Sequence, residues 1–431
     1  MIIVRPLKHS YNFLVAQQKN MDQNIIIGAG VAGLIAARHL EEAGVSPLIL
    51  EASTGIGGRV KTDEKDGFLL DHGFQVLLTG YVEAQRYLDY AALDLRSFQT
   101  GARIFAHDRS FLIADPLRDP SQIWNMIVSA VGSISDKFKM WQLTNALKKL
   151  SPAATFDYNS ISTLDYLRNE LKFSERIIKQ FFQPFFGGIF LENALRTPAS
   201  MFRFVFQTFG NSHGTIPAKG MGAIPEQLKA GLSKTQFRFN SRVARIEDQK
   251  IYLTTGESLP FDKLIIATEP SNLLPNLANH VAQYTSTCNL YFAADQSILK
   301  EPAIALVADA ASMINSFCVP SDLAPAYAPT GQSLISVTLK DAYALESIDP
   351  AQVATEIRRL VKKPDMHLNH LATYSIPQSL PVVEDLRYEI DFTQYRLTDS
   401  IFLAGDYLLN ASLDAAMRSG RGAARALLQK F

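Results

Sequence analysis

Gly28, Gly30 and Gly33 directly follow a short apolar run, Asn24 to Ile27. This is the G-x-G-x-x-G spacing that lets a backbone turn tightly, approach a pyrophosphate and pack a helix closely on a strand. Val31 and Ala32 fall in the first turn of the following helix, where free N–H groups face an anion. A second apolar run, Leu48 to Leu50, ends in Glu51-Ala52. A carboxylate at that point accepts two hydrogen bonds from a ribose diol and repels a 2′-phosphate. Another glycine loop, Gly55-Ile56-Gly57-Gly58-Arg59, comes next. A plain NAD domain has no need of glycines and an arginine just after the ribose-binding acid, whereas a longer dinucleotide lying across the sheet edge does. Gly57 and Gly58 let backbone approach that ligand, and Arg59 pairs with a phosphate or a backbone carbonyl.

The elements that must hold these groups are legible as patterns. The glycine loop opens a helix running to about Ala43. Gly67 to Val76 alternates and reads as a strand entering a glycine turn. Phe237 to Ile246 and Asp262 to Thr268 read as further strands, and Ser400 to Leu403 as a late one ending in Gly405-Asp406. Ser412 then caps a terminal helix whose first turn holds Leu413 and Ala415. Between these pieces the chain is helical from about Pro120 to Leu150, with Ser133 to Asp136 opening one helix. Ser162 and Ser174 open two more. Residues 171–210 carry ten phenylalanines. They either fill a core or line an apolar tunnel or membrane-facing mouth. From 271 to 390, extended runs at Cys288–Ala294, Ser333–Leu339, Thr373–Ile376 and Leu386–Ile390 suggest an antiparallel sheet, with a helix over Pro350–Val361.

The double glycine loop with its acidic residue resembles the FAD fingerprint of the flavin-containing amine oxidase superfamily, which includes monoamine and polyamine oxidases, protoporphyrinogen oxidase and phytoene desaturases. The late Gly405-Asp406 is similar to that family's second cofactor motif. The resemblance implies an α/β fold: a Rossmann-like FAD-binding domain interleaved with a substrate domain of antiparallel sheet plus helices. It implies FAD as cofactor, with Asp406 on the ribityl or pyrophosphate portion and the N-terminus of the last helix aimed at the flavin. His72, Gly73 and Phe74 match the turn beside the ring, Val243 the residue whose backbone pairs with adenine, and Thr268 a strand end at the cofactor. Gly214 to Leu228 resembles the proline, glycine and methionine motif, with Lys219 where glycine is commoner. The domains then divide as 21–78, 211–270 and 396–431 for FAD, and 79–210 and 271–395 for substrate, with 1–20 a flexible extension.

Two departures carry information. The run Tyr284 to Leu290 lacks the lysine that holds a water near flavin in many amine oxidases. No cysteine follows Cys318, so attachment of FAD is expected to be noncovalent. Both favour the desaturase or protoporphyrinogen-oxidase side of the superfamily. The expected activity is hydride removal from a C–H bond of a small, hydrophobic molecule. An amine or amino-acid oxidase, and a flavin-dependent isomerase or non-turnover flavin binder, remain as alternatives.

The 431 residues carry 42 basic and 42 acidic side chains, a balance that suggests no nucleic-acid partner. Two cysteines exclude a disulfide framework and fit a reducing cytoplasm, with peripheral membrane contact open. Neither they nor the eight histidines show metal-ligand spacing, so no metal is expected.

Overall fold

The computed structural model describes residues 23–106, 109–113, 132–158, 161–274, 277, 282–343 and 346–429. The extension at 1–20 and the first part of the helical stretch expected from Pro120 lie outside the described residues.

Strand Asn24–Ile27 lies at the middle of a five-stranded sheet in which every neighbour is parallel. The order is Gln236–Arg238, Leu48–Leu50, Asn24–Ile27, Lys263–Ile266, Ile401–Leu403. Numbered along the chain, this is 3-2-1-4-5. Such an order reverses direction beside the first strand and opens a crevice there, at the carboxyl ends of strands one and four. Both faces of the sheet are covered. Ile25 and Ile27 pack with Ile246, Ile251 and Leu253 of an antiparallel meander, Val243–Glu247, Lys250–Leu253 and Ser258–Pro260. Ile26 points the other way, onto Leu34 and Ile35 of helix Val31–Glu42. Alternating residues buried on both faces explain why the run is apolar throughout.

The terminal helix, Leu413–Leu428, lies against helix Val31–Glu42. Their contact needs a glycine: a Cβ on Gly420 would sit 2.2 Å from the Ala32 carbonyl oxygen. Buried charges fix the helix lengthwise. The fully buried Glu83 carboxylate lies 2.8 Å from Arg421 and 3.2 Å from Arg418, while Arg418 also reaches Asp414 at 3.1 Å.

A second sheet has seven strands in the order Asn369–Pro381, Tyr284–Ala294, Ser333–Leu339, Ile314–Cys318, Ala305–Val307, Ala102–Ala106, Arg109–Ile113. It is antiparallel except where Ala305–Val307 meets Ala102–Ala106. Helix Pro350–Val361 covers one face with Val353, Ala354 and Ile357. The other face packs with the phenylalanine-rich helices, Gln183–Phe190 and Ala199–Asn211. The helix expected at Ser133 begins there: its hydroxyl accepts from the Asp136 N–H, and the Asp136 side chain accepts from the Ser133 N–H.

Three expectations are corrected. The strand read as Phe237 to Ile246 is two strands. Asn240 takes a left-handed φ of 53°, and the N–H groups of Asn240 and Ser241 donate to Ser53 and Glu51 carbonyls, which turns the chain out of the parallel sheet. Leu386–Ile390 joins no sheet; the Arg387 N–H donates to Leu409 and its carbonyl accepts from the Asn410 side chain, tying the segment to the loop before the last helix. The run from Gly67 pairs only over Phe68–Asp71, against Thr62–Lys65.

Two glycine substitutions should separate close packing from helix propensity. Gly420→Ala forces the two helices apart and should cost about 1 to 3 kcal/mol. Gly210→Ala, whose Cβ meets only Lys148 Cε at 3.9 Å, should be neutral or stabilising by roughly 0.5 to 1 kcal/mol. Urea denaturation of both variants beside the parent gives the comparison.

Candidate functional site

A cavity of about 1210 Å³ opens at the crevice predicted by the sheet order and extends to the seven-stranded sheet. Fourteen of the eighteen proposed cofactor residues line it: Gly28, Gly30, Val31, Ala32, Glu51, Gly57, Gly58, Arg59, Gly73, Phe74, Thr268, Gly405, Asp406 and Leu413. Gly33, Ala52, Val243 and Ala415 do not. Gly33 acts underneath the loop, where a Cβ would lie 2.0 Å from the Gly28 carbonyl oxygen. Val243 belongs to the meander core. The Ala415 N–H is taken by the Ser412 hydroxyl at 3.0 Å, which caps the last helix.

The two glycine loops are joined to each other. The Gly57 N–H donates to the Ala29 carbonyl at 2.9 Å, and Gly30 and Gly57 form an isolated parallel bridge. Gly57 has a φ of 106°, which an L side chain rarely adopts, and a Cβ would meet the Val60 carbonyl oxygen at 2.2 Å. Glu51 is oriented from both sides. Its Oε2 accepts the Ala29 N–H at 2.8 Å, and its Oε1 accepts the Ser53 N–H and hydroxyl, each at 2.8 Å. A carboxylate offers about four lone-pair sites, and with three taken inside the chain one remains for a ribose hydroxyl.

Arg59 reaches across the cavity wall to Asp406, with a 2.5 Å contact, and donates to the Ser379 carbonyl at 3.1 Å. Burial works against the Arg59 charge; the Asp406 carboxylate outweighs it and raises the guanidinium pKa above its ordinary value. After Asp406 the chain turns tightly. Leu409 and Ala411 N–H groups donate to the Asp406 carbonyl, and Ala411 holds a left-handed φ of 61°. This turn delivers Ser412 and Leu413 to the cavity, with the positive end of the last helix at its edge. His72 also lines the cavity, but its Nε2 is held 2.8 Å from Asp63, which also accepts from the Tyr374 hydroxyl.

The residues present fit a dinucleotide on two observations. A side chain on Gly30 would meet no atom within 4 Å, so the backbone there borders open space of the kind a pyrophosphate fills. The buried Tyr407 hydroxyl, beside Asp406 in the cavity wall, has no hydrogen-bond partner among the described residues. Burial pushes the ionisation of this phenol up, so it stays a donor. Sequence reasoning missed Tyr407, and a single tyrosine after a Gly-Asp pair gives no pattern by which to find it. Met221, the methionine of the Gly214 to Leu228 motif, lines the cavity, and its N–H donates to the Asp71 carboxylate.

Gly30→Val should fill that open space without disturbing the fold, because φ and ψ of −72° and 177° suit valine. Asp406→Ala should free Arg59 and remove the carboxylate that the resemblance assigns to the cofactor. Both should purify with lower flavin content than the parent at similar far-UV circular dichroism. Full flavin occupancy in both variants would refute the site.

Comparison with known proteins agrees with this geometry. The sequence model of the family described as flavin containing amine oxidoreductase matches residues 31–428. Protoporphyrinogen oxidase 2 of Arabidopsis thaliana is 24% identical over 165 residues, 38% of this chain and 31% of that protein. The 4,4'-diaponeurosporene oxygenase of Staphylococcus aureus (strain Mu50 / ATCC 700699) is 33% identical over 87 residues, 20% of this chain and 17% of that protein. The chain thus spans less than a third of the length of these curated relatives. The crystal structure of an oxidoreductase from Methanosarcina mazei superposes with a TM-score of 0.70 at 17% identity, covering 93% of this chain and 99% of that one. The chain belongs to the flavin containing amine oxidoreductase family, and its cofactor is FAD.

Proposed function

We propose that the protein is an FAD-dependent oxidoreductase that removes a hydride from a C–H bond of a largely apolar small molecule. The observation that carries this reading is the continuity of one cavity from the glycine loops to a wall of Phe185, Ile189, Phe190, Met201, Val205 and Phe209. The phenylalanine-rich segment therefore does two things. Phe182, Phe186, Phe202 and Phe204 are core, while Phe185, Phe190 and Phe209 reach the cavity. An apolar group moved from water into such a wall gains roughly 1.5 to 3 kcal/mol, a preference that works against small charged molecules.

When bound, FAD supplies the two-electron acceptor. The chain's own residues bind and orient. In this reading residues 21–78, 211–270 and 396–431 hold the cofactor. Glu51 takes the ribose, the Gly30 backbone the pyrophosphate, and Asp406 with Arg59 the portion nearer the ring. Gly73 and Phe74 border the ring, with Val243 near the adenine. The insertions supply the apolar wall that excludes water from the reacting carbon. Among the described residues no lysine lines the cavity. This works against the amine-oxidase alternative in its common form, in which a lysine holds a water near the flavin, and leaves an amine oxidase with a different water-positioning group to the bleaching test. Neither Cys288 nor Cys318 lines it, which supports noncovalent attachment.

Acid precipitation should release the yellow chromophore into the supernatant; colour kept in the pellet would defeat noncovalent binding. Anaerobic bleaching then tests the substrate class. Porphyrinogens, polyenes and other lipophilic compounds are compared with polyamines and amino acids. Bleaching by the lipophilic set is expected. Rapid bleaching by a small polar amine alone would promote the amine-oxidase reading, and no bleaching by any compound the flavin-binding one.

A lipid surface as the source of such a substrate has its own support. Ile134, Phe138 and Trp141 recur along one face of helix Ile134–Lys148 and are 83%, 57% and 49% exposed, with the Phe138 and Trp141 rings stacked 5.7 Å apart. Among the described residues no helix is long and apolar enough to cross a membrane, so contact would be peripheral. Co-sedimentation with phosphatidylglycerol vesicles should be measurable and should drop in a Phe138→Ala, Trp141→Ala double variant. Equal recovery of both proteins in the supernatant would end this part of the reading.

A further inference from the structure

The seven-stranded sheet has two unlike faces. Under helix Pro350–Val361 its central strands present Leu290, Phe292, Ile335, Val337 and Phe317, all apolar. The alternate residues face the phenylalanine-rich helices, and several are polar. They are Thr287 and Asn289 on Tyr284–Ala294, Ser336 and Thr338 on Ser333–Leu339, and Ser316 on Ile314–Cys318. All five are buried and none is charged. Register sets them side by side: Asn289 pairs with Thr338, and Thr338 with Ser316 on the next strand. Thr287 lies two residues before Asn289 on the same face. Thr287, Thr338 and Ser316 line the cavity. Neighbouring strands stand about 4.8 Å apart, so the row forms a polar floor opposite the apolar wall.

The fold uses only part of this row. The Asn289 amide donates to the Ser336 hydroxyl at 3.1 Å, and its Oδ1 accepts from the Thr338 hydroxyl at 2.9 Å. Thr338 thereby commits its proton and offers the cavity lone pairs. The Thr287 and Ser316 hydroxyls have no hydrogen-bond partner among the described residues, and neither is a sealed atom like the Tyr407 hydroxyl. Both border the cavity. A Cβ on Gly188, itself a lining residue, would lie 3.9 Å from Ser316 Oγ, and one on Gly73 would lie 3.7 Å from Thr287 Cγ2. The row therefore runs from the Gly73 turn to helix Gln183–Phe190. Charge lies elsewhere in the lining. Arg59 is paired with Asp406, and Glu192 accepts from Thr197. Arg196 and Glu384 have no partner among the described residues, but both are exposed, so they meet a ligand at the water side of the cavity.

Positions that served packing alone would be apolar, as they are on the opposite face, and a buried hydroxyl is costly unless something completes it. We propose that the floor made by Thr287, Thr338 and Ser316 determines specificity: it hydrogen-bonds an uncharged oxygen function, a hydroxyl or a ketone carbonyl, on an otherwise apolar substrate. The inference rests on the reading of this cavity as the substrate site. It refines the substrate class to a molecule with one apolar flank, toward Phe185, Phe190 and Phe209, and one oxygen-bearing edge toward the sheet. A carboxylate or an ammonium on that edge is disfavoured, because a charge on this floor would be buried without a counter-charge.

The test uses the FAD-loaded protein and probes built on one carbon chain: octane, 2-octanone, 2-octanol and octanoate. Headspace gas chromatography gives the affinities of the volatile probes, and isothermal titration calorimetry that of octanoate. Ser316→Ala combined with Thr287→Val removes both unpartnered hydroxyls. The ketone-to-octane and alcohol-to-octane affinity ratios should each fall about three- to tenfold, the worth of one neutral hydrogen bond, while octane itself binds as well or better. Ser336→Ala, on the same face but outside the cavity lining, should leave both ratios within about twofold and reports what loss of a merely structural hydroxyl does. In the parent, the carbonyl stretch of bound 2-octanone should lie below its frequency in hexane, because a hydrogen-bond donor polarises it. Ratios unmoved in the double variant, a hexane-like stretch in the parent, octanoate binding more tightly than 2-octanol, or no binding of any probe would each overturn the proposal. Tighter octanoate would give the polar end to Arg196. The parent measurements decide even if the double variant fails to fold. Flavin content and bleaching by lipophilic compounds, measured on the same preparations, test the underlying reading separately. A protein that carries flavin and is bleached, but keeps its ratios in the double variant, sinks this inference alone.

Discussion

The arrangement of the whole cavity depends on one guanidinium. Arg59 comes from the second glycine loop, Asp406 from the turn after the last parallel strand, and Ser379 from the long edge strand of the seven-stranded sheet. Three remote parts of the chain meet at a single planar group whose fork of donors fixes direction as well as distance. The pair is not a large source of stability. Asp406 is buried while Arg59 is partly exposed, and desolvation offsets much of the attraction. Its value is geometric, because it sets how far the parallel sheet stands from the other sheet and hence the width of the space between them.

A second junction lies deeper and is fully satisfied. The buried Asp71 carboxylate accepts from the Thr62 hydroxyl at 2.5 Å, the Met221 N–H at 2.9 Å and the Tyr327 hydroxyl at 2.8 Å, and the Asp71 carbonyl accepts from Tyr291 at 2.8 Å. Burial pushes this carboxyl up despite those bonds. Hairpin Thr62–Asp71, the glycine turn before helix Ala223–Ala230 and the seven-stranded sheet are thereby held in one relation. Gly73 and Phe74, two and three residues on, reach the cavity from this fixed point. Polar networks of this kind contribute uniqueness more than net energy.

The parts legible in the sequence are those governed by local rules. Ile25 to Ile27, Leu48 to Leu50 and Leu264 to Ala267 are apolar because both faces of a parallel sheet are covered, and that pattern needs no knowledge of partners. The caps at Ser133, Ser162, Ser174 and Ser412 follow from the chemistry of helix ends. What stayed hidden was decided at a distance. Ala102–Ala106 joins the seven-stranded sheet by pairing with Ala305–Val307, a choice no local window contains. Leu386–Ile390 has strand-like composition, yet its backbone partners are Leu409 and Asn410. Tyr407 looks like an ordinary polar residue in the sequence and gains meaning only from a hydroxyl left without a partner among the described residues. Fourteen of the proposed cofactor residues converge on the cavity because glycine spacing encodes the approach of backbone to ligand. Gly33 shows the limit, since spacing alone does not tell a lining residue from one that packs beneath it.

The strand order 3-2-1-4-5 also has a consequence in time. The crevice lies between the first and fourth strands, the fifth closes the sheet edge, and the wall at Gly405 to Ala416 is made by chain that leaves the ribosome nearly four hundred residues after the glycine loop. From residue 266 until Ile401–Leu403 is made, the edge of Lys263–Ile266 lacks its final neighbour, and Ala32 waits far longer for the helix that Gly420 brings against it. Contacts this distant in sequence form late. The nascent chain must therefore carry an open sheet edge and an unfinished pocket until Gly405 to Ala416 has been made.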